Sequence, residues 1–505
     1  MTQLPVILAP RPDTPSLEAW LFASHLQQPK LRRKNWTALV QLTWWMLWKE
    51  PAHQIGPDNL LQVTRSVVLA NQIKQMVPSW TEAAARFLVA RFLNGFISIG
   101  SLTLLEDGGS TLSFGDASDK CKVKSVLRVH DPIFYWKIAT ESDLGLADAY
   151  INGWCSFLDE KEGLMNLFLI FIANRDKSSS SNIVSKRGWW TPMLLTAGVS
   201  SAKYFLRHLW RKNSVTQTRR NISQHYDLSN DFFSLFLDKS MTYSCGIFKE
   251  EDESLEAAQL RKLSLLIEKA KVERDHQVLD IGSGWGSLAI ELVKQTGCKY
   301  TGITLSEEQL KYAQRKVKEA ALEDHITFLL CDYREIPARK YDRIISCEMI
   351  EHVGHEYMDA FFTCCKSHLT EDGIFVLQAI TMPDELYEEY IRSPGFIKEY
   401  IFPGGSLPSL SRIKSISASS GLRIENLEDF DGDHYYRTLR SWRDNLMTNK
   451  DEISALGFDD RFIRTWEYYF LYCAAGFRTQ TLGDCQVVFS HAGNDKLAMD
   501  LMTDA

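Results

Sequence analysis

The stretch Val278-Leu-Asp-Ile-Gly-Ser-Gly-Trp-Gly286 constrains this chain more than any other. An apolar run ends in an aspartate, three glycines follow at i, i+2 and i+4, and a helix-like run begins beyond them. The pattern predicts a strand, a tight turn and a helix start. Glycine reaches backbone conformations closed to other residues and lets main-chain N–H groups approach a ligand, and the first turn of the next helix offers unpaired donors. A dinucleotide fingerprint spaces its glycines Gly-x-Gly-x-x-Gly and seats a pyrophosphate on the helix. Here the third glycine comes one residue early and Asp280 stands before the turn. That suits S-adenosylmethionine, a cationic sulfonium without phosphate. An ordinary strand-to-helix turn gives the same triplet, so other landmarks must decide.

At 505 residues the chain exceeds one usual core and predicts two or three domains. Hydrophobic residues at 45%, charged residues at 24% and a mean hydropathy of −0.20 fit a globular enzyme rather than a disordered or membrane-spanning chain. A net charge of −7 gives no support to nucleic-acid binding, which needs a basic surplus. The cysteines form no Cys-x-x-Cys pair, and adjacent Cys364-Cys365 is not a zinc spacing, so reduced thiols and no metal site are expected. The N-terminus carries no secretory pattern. The apolar segments Trp36–Trp48 and Leu164–Ala173 fall short of the roughly 18 residues that a membrane helix needs. A cytoplasmic location is expected.

Five segments are predicted. Residues 1–75 form an extension without a chemical motif. Residues 76–176 read as a small α+β domain, with a helix over Ala83–Leu93, a hairpin of Leu102–Leu105 and Thr111–Phe114 about Asp107–Ser110, and a helix over Ser142–Ile151. Residues 177–225 hold many cations, Arg207, Arg211 and Lys212 among them, with interleaved aromatics and no acid. Such a segment meets anionic headgroups at a membrane surface, or is a solvated interdomain helix. Over 226–492 strands alternate with helices: Gln277–Asp280, Lys299–Ile303, Ile326–Leu330, Tyr341–Ser346 and Ile374–Ala379 are the strand candidates. This predicts an α/β, Rossmann-like sheet with ligands beyond its carboxyl strand ends. Residues 493–505 form a tail.

Each landmark falls at such a strand end. Asp280, Gly282, Gly284 and Gly286 form the first wall of a cofactor site. After the second strand, Thr304 and Gln309 are placed to grip ribose hydroxyls, or Ser306 caps the next helix; both can hold. Asp332-Tyr333 follows the third strand and can bond and stack on an adenine. After the fourth, Glu348, Glu351, His352 and His355 stand at helical offsets that would turn acid and imidazole to one side. Helix-start acids favoured by the dipole are the plain alternative.

His225-Tyr-Asp-Leu-Ser-Asn-Asp-Phe-Phe233, Met241-Thr-Tyr-Ser-Cys245, the glycine turn, Ile350-Glu-His-Val-Gly354, Tyr400-Ile-Phe-Pro-Gly-Gly405, His434-Tyr435 and Cys473-Ala-Ala-Gly-Phe477 together resemble the cyclopropane-fatty-acyl-phospholipid synthase family. The similarity runs over about residues 201–490. Residues 81–175 look like the plant form, without the flavin domain that precedes it there. The resemblance implies an S-adenosylmethionine-dependent methyltransferase domain preceded by the small α+β domain. It implies that Tyr243, Ser244, Gly282, Gly284, Thr304, Leu305, Gln309, Asp332 and Tyr333 hold the cofactor. Cys245, Glu351, Ile380 and Tyr435 would surround a bicarbonate ion that removes a proton while the cis alkene of a phospholipid acyl chain becomes a cyclopropane. Gln378 stands where bacterial relatives generally place a histidine, and an amide can still bond an anion. Cys473 matches a cysteine sometimes labelled catalytic, but the alkene is itself the nucleophile, so packing is the favoured role. The expected partners are phospholipid acyl chains at a membrane surface, with a homodimer as the candidate assembly and no nucleic acid. A small-molecule alkaloid N-methyltransferase and a catalytically silent lipid-binding paralogue are the competing readings.

Overall fold

The computed structural model describes residues 80–116, 122–178, 228–393 and 395–494. The 1–75 extension, Arg207, Arg211 and Lys212 with most of the basic segment, the motif residues His225 to Asp227 and the tail from 495 lie outside the described residues.

A four-stranded sheet comes first. β1 (Ser101–Glu106) and β2 (Thr111–Gly115) form the expected hairpin, β3 (Lys124–Val129) runs parallel to β1, and β4 (Cys155–Phe157) closes the order β2-β1-β3-β4. Three helices accompany it: α1 (Trp80–Phe96), α2 (Ile133–Ile151) and α3 (Gly163–Ser178). Leu102 and Leu104 of β1, with Leu127 and Val129 of β3, bury one face by period-two alternation. The helix expected from Ser142 is only the second half of α2. Ser142 breaks it with φ 59°, and any Cβ at Gly145 would lie 2.1 Å from the Lys137 carbonyl oxygen, so the kink requires glycine there.

The second sheet has seven strands in the order β10-β11-β9-β8-β5-β6-β7. The five expected strands are all present: β5 (Gln277–Ile281), β6 (Lys299–Thr304), β7 (Ile326–Leu330), β8 (Tyr341–Cys347) and β9 (Leu369–Thr381). They run parallel. β10 (Leu422–Phe430) and β11 (Gly483–His491) add an antiparallel edge. The chain winds outward from β5 through β6 to β7, then returns to β8 on its other side. Strand order therefore reverses between β5 and β8, and the crevice beyond their carboxyl ends is where such sheets bind ligands.

Between and around these strands lie α4 (Asn230–Ser234), α5 (Leu255–Ala270), α6 (Ser287–Thr296), α7 (Glu307–Glu319), α8 (Met358–His368), α9 (Asp384–Arg392), α10 (Leu410–Ser420), α11 (Gly432–Thr448), α12 (Lys450–Ala455) and α13 (Asp460–Arg478). One continuous apolar core runs from α1, α2 and α3 into α4, α11 and α13. Its centre is aromatic: Phe232, Phe233 and Phe236 surround Trp466 at ring-centroid distances of 4.9 to 5.9 Å. Polar links cross the same boundary. Tyr150 of α2 donates to Glu467 Oε2 of α13 across 2.6 Å, and Arg443 of α11 reaches Glu467 Oε1 (2.6 Å) and the Glu160 carbonyl (2.6 Å).

Candidate active site

The glycine turn follows β5 as expected. Gly282, Gly284 and Gly286 all take positive φ, at 98°, 54° and 89°. A Cβ at Gly282 would stand 2.8 Å from Met349, so a side chain is excluded there by both sterics and backbone. Gly286 serves the fold: it is the N-cap of α6, and a Cβ would press on Ala313 and Phe328 at 3.0 and 3.1 Å. The loop is braced from α4. Asn230 accepts from Trp285 Nε1 (2.7 Å) and donates to the Glu308 carbonyl (3.2 Å), while Ser229 caps the short helix.

A cavity opens beyond the strand ends. Its walls include Tyr243, Ser244, Asp280, Gly282, Gly284, Thr304, Leu305, Gln309, Asp332 and Tyr333, ten of the eleven expected cofactor residues. Gly286 does not line it, for the packing reason above. Ser306 caps α7 through Gln309 N (3.1 Å), and Thr304 donates to Gln309 Oε1 (2.7 Å) on the cavity wall. Arg334 clamps Asp332 through Nε (2.7 Å) and Nη2 (2.8 Å). Asp280 takes the Tyr300 hydroxyl on Oδ2, but its Oδ1 and the Tyr333 hydroxyl are buried without a protein partner. Buried polar atoms are nearly always satisfied, so two orphans on one cavity wall fit a ligand with polar edges. Burial pushes the Asp280 carboxyl up to about 7. S-adenosylmethionine, polar at the ribose and adenine and cationic at sulfur, fits these walls.

The chemistry-bearing residues meet next to this cavity, in an arrangement unlike the expected one. The run Cys347–His355 is not an α-helix. Glu348 takes φ 49°, and two 3₁₀ turns follow at Ile350–His352 and His355–Tyr357, so the four acids and imidazoles do not share a helical face. His355 goes to the Tyr387 hydroxyl (2.9 Å). His352 lines the cavity, and burial lowers its imidazole to about 4, which leaves it neutral.

Glu348 gathers the donors. Its Oε1 accepts from Cys245 N (2.8 Å) and Gln378 Nε2 (2.9 Å), and its Oε2 from the Tyr435 hydroxyl (2.6 Å). Gln378 also donates to Asp484 Oδ2 (2.8 Å) and accepts from Gln486 Nε2 (3.0 Å). Glu351 Oε1 accepts from Ile380 N (2.7 Å), while Oε2 has no partner. The groups assigned to bicarbonate are thus brought together, but every one of those donors is turned to a carboxylate of the chain. A separate anion here would have to displace a carboxylate of the chain from each donor, Glu348 from Cys245 N, Gln378 and Tyr435, and Glu351 from Ile380 N. The residues present do not fit bicarbonate as a separate group.

Burial raises all three carboxyls, Glu351 to about 8, and the Glu348 charge pushes Glu351 further up. Lys262, buried on α5 and on the cavity wall, is the nearby counter-charge and donates to Ser244 Oγ (2.6 Å). Sequence reasoning passed over it, though a signal existed: Ala258, Lys262 and Leu266 share one helical stripe, and a lysine on a buried stripe needs a reason. Cys473 does not line the cavity, and burial pushes its thiol up, as expected for a packed cysteine.

The profile of the mycolic acid cyclopropane synthetase family matches residues 213–487. The chain is 40% identical over 281 residues to the tuberculostearic acid methyltransferase UfaA1 of Mycobacterium tuberculosis, covering 54% of this chain and 65% of that one. It is 33% identical over 368 residues to the cyclopropane-fatty-acyl-phospholipid synthase of Escherichia coli, covering 72% and 87%. Among solved structures, the mycolic acid cyclopropane synthase CmaA1 complexed with SAH and CTAB matches with TM-score 0.50 and 32% identity, covering 54% of this chain and 97% of that one.

Proposed function

Because the chain belongs to the mycolic acid cyclopropane synthetase family of S-adenosylmethionine-dependent methyltransferases, we propose that it adds a methylene to the cis double bond of an unsaturated phospholipid acyl chain and forms a cyclopropane. The observation that carries this reading is the carboxylate of Glu348 on the wall of the cofactor cavity, held by Tyr435, Cys245 N and Gln378. When bound, S-adenosylmethionine supplies an electrophilic methyl on a sulfonium. The walls named above hold it, and the neutral His352 adds no competing cation. Bicarbonate is not carried into this reading, because the four donors assigned to it are engaged by Glu348, Asp484 and Glu351.

The first relative above supports a second product. UfaA1 is named a tuberculostearic acid methyltransferase, so a methylene-branched chain is the alternative outcome at the same alkene, and a saturated methyl branch requires a separate hydride donor to reduce it. Fatty acids extracted from a host expressing this chain decide between them. A product one CH2 heavier than its alkene, with upfield ring protons, supports the cyclopropane; vinylic methylene protons or a saturated branch support the alternative; unaltered fatty acids refute both. The reading brings the enzyme to its substrate at the bilayer surface through the cations of the basic segment; among the described residues no helix is long and apolar enough to cross a membrane. Reversing Arg207, Arg211 and Lys212 to glutamate then weakens co-sedimentation with anionic vesicles in a salt-dependent way. A homodimer remains part of the proposal and is read by light scattering.

A further inference from the structure

Four donors that the family resemblance assigns to a bound anion are all directed at side-chain carboxylates, and three of them converge on one residue. Cys245 N comes from the loop before α5, Gln378 from β9 and Tyr435 from α11, and all three end on Glu348 at 2.6 to 2.9 Å. Donors from three distant segments aimed at a single carboxylate make a built anion site whose anion is covalently part of the chain. Its backbone agrees: Glu348 sits at φ 49° at the end of β8, its N–H bonded to the Gln378 carbonyl (2.8 Å). A non-glycine residue held in the left-handed region persists where surrounding contacts over-determine it, and such positions gather at functional sites.

We propose that Glu348 is the catalytic base, and that its carboxylate removes the need for bicarbonate. This rests on the methylene-transfer reading above. Of the three clustered carboxylates, Glu348 alone lines the cavity; Glu351 and Asp484 stand behind it. An ionised carboxylate has about four acceptor positions. Three are filled here, which leaves one for a proton.

The step balances without another reagent. The alkene π pair bonds to the methyl carbon while the carbon–sulfur pair stays on sulfur, which leaves the acyl chain cationic. A proton then leaves the former methyl carbon, its C–H pair becomes the last ring bond, and the proton goes to Glu348. The product is a neutral lipid and a carboxylic acid, which returns its proton to solvent once the site opens.

The groups facing Glu348 set it for this task. Tyr435, Cys245 N, Lys262 and Gln378 favour its charged form, while burial opposes it, and Asp484, Glu351, Cys245 and Cys347 surround it from β11, the 3₁₀ turn, the loop before α5 and β8. The outcome is a carboxyl raised above the usual range, closer to the pH at which a general base is most effective.

The test is anion rescue of the full-length chain on unsaturated phospholipid vesicles. Wild type is expected to turn over at an unchanged rate in bicarbonate-depleted buffer and to show no bound signal with 13C-labelled bicarbonate in NMR. Glu348→Gly opens a hole lined by the same donors. It is expected to bind S-adenosylhomocysteine by calorimetry, to lose on the order of a hundredfold to ten-thousandfold in rate, to gain a bound 13C-bicarbonate signal and to recover at least about tenfold with bicarbonate or formate. Glu348→Gln fills the hole without a base and is expected to bind S-adenosylhomocysteine but to be slow and unrescued. Bicarbonate dependence of wild type, a bound bicarbonate signal on wild type, or a fast Glu348→Gln overturns the assignment while leaving the methylene-transfer reading intact. A wild type that makes no lipid product overturns both.

Discussion

The Tyr435 hydroxyl donates to Glu348 Oε2 across 2.6 Å, joining α11 to the end of β8, where Glu348 lines the cofactor cavity. A hydrogen bond to an ionised group contributes about 1.5 to 3 kcal/mol. Because the bond favours the charged carboxylate, Tyr435→Phe raises the Glu348 pKa. The base form is then lost at a higher pH on acidification. The acid limb of the kcat/KM profile should therefore move to higher pH, with S-adenosylhomocysteine affinity unchanged by calorimetry. An unmoved limb contradicts the pairing.

Glu351 lies behind Glu348 and does not touch the cavity, yet it holds Ile380 N and, through its carbonyl, Ser406 N (2.8 Å). Burial, with the charge of Glu348, pushes the Glu351 carboxyl up to about 8, from about 4.5 in the unfolded chain. Between those values the folded chain binds more protons than the unfolded one, so stability falls as pH rises from about 5 to about 8. Glu351→Gln removes that titration. Its Tm should fall less over this range than that of wild type, and S-adenosylhomocysteine binding should persist. A Tm profile parallel to wild type would show that Glu351 titrates normally.

Gln378 uses both amide hydrogens and its oxygen, on Glu348, Asp484 and Gln486. Imidazole has two ring nitrogens and cannot make all three bonds. Gln378→His should cost about 1 to 3 kcal/mol, the penalty for a buried polar group left unpaired, measured by urea unfolding, and should slow turnover. An equally stable, equally active variant would mean that the cluster repacks freely.

The sheet was legible because the buried parallel strands read as apolar runs ending in glycine, threonine or acid. β10 and β11 were missed. β10 alternates charges such as Arg423, Glu425 and Glu428 with half-buried apolar residues and reads as a polar surface segment. Most of the cofactor wall was legible because Asp280, Gly282, Gly284, Thr304, Leu305, Asp332 and Tyr333 stand at or just past strand ends, whereas Tyr243 and Ser244, in the loop before α5, came only by resemblance. The role of Glu348 was not, because the offsets of Glu348, Glu351 and His352 imitate a helix and only tertiary contacts to Cys245, Gln378 and Tyr435 turn the first acid away. Bicarbonate entered by resemblance, and the donors that carried it are the ones this chain gives to its own carboxylate.

Cys473 is half-buried on α13, and desolvation holds its thiol protonated. Without a thiolate it offers no nucleophile. Cys473→Ala should keep turnover within severalfold, losing only the stability of a small half-buried side chain, on the order of 1 kcal/mol. Loss of all activity in a folded variant would restore a direct role.

The methylene itself can be followed. Purified chain is given S-adenosylmethionine with a trideuterated methyl and vesicles of unsaturated phospholipid, and the lipid product is analysed by mass spectrometry and NMR. The account predicts a cyclopropane that keeps two of the three deuterons, the third having left to the base. Deuterium that never enters the acyl chain, or a product that retains the whole trideuterated methyl, would contradict it.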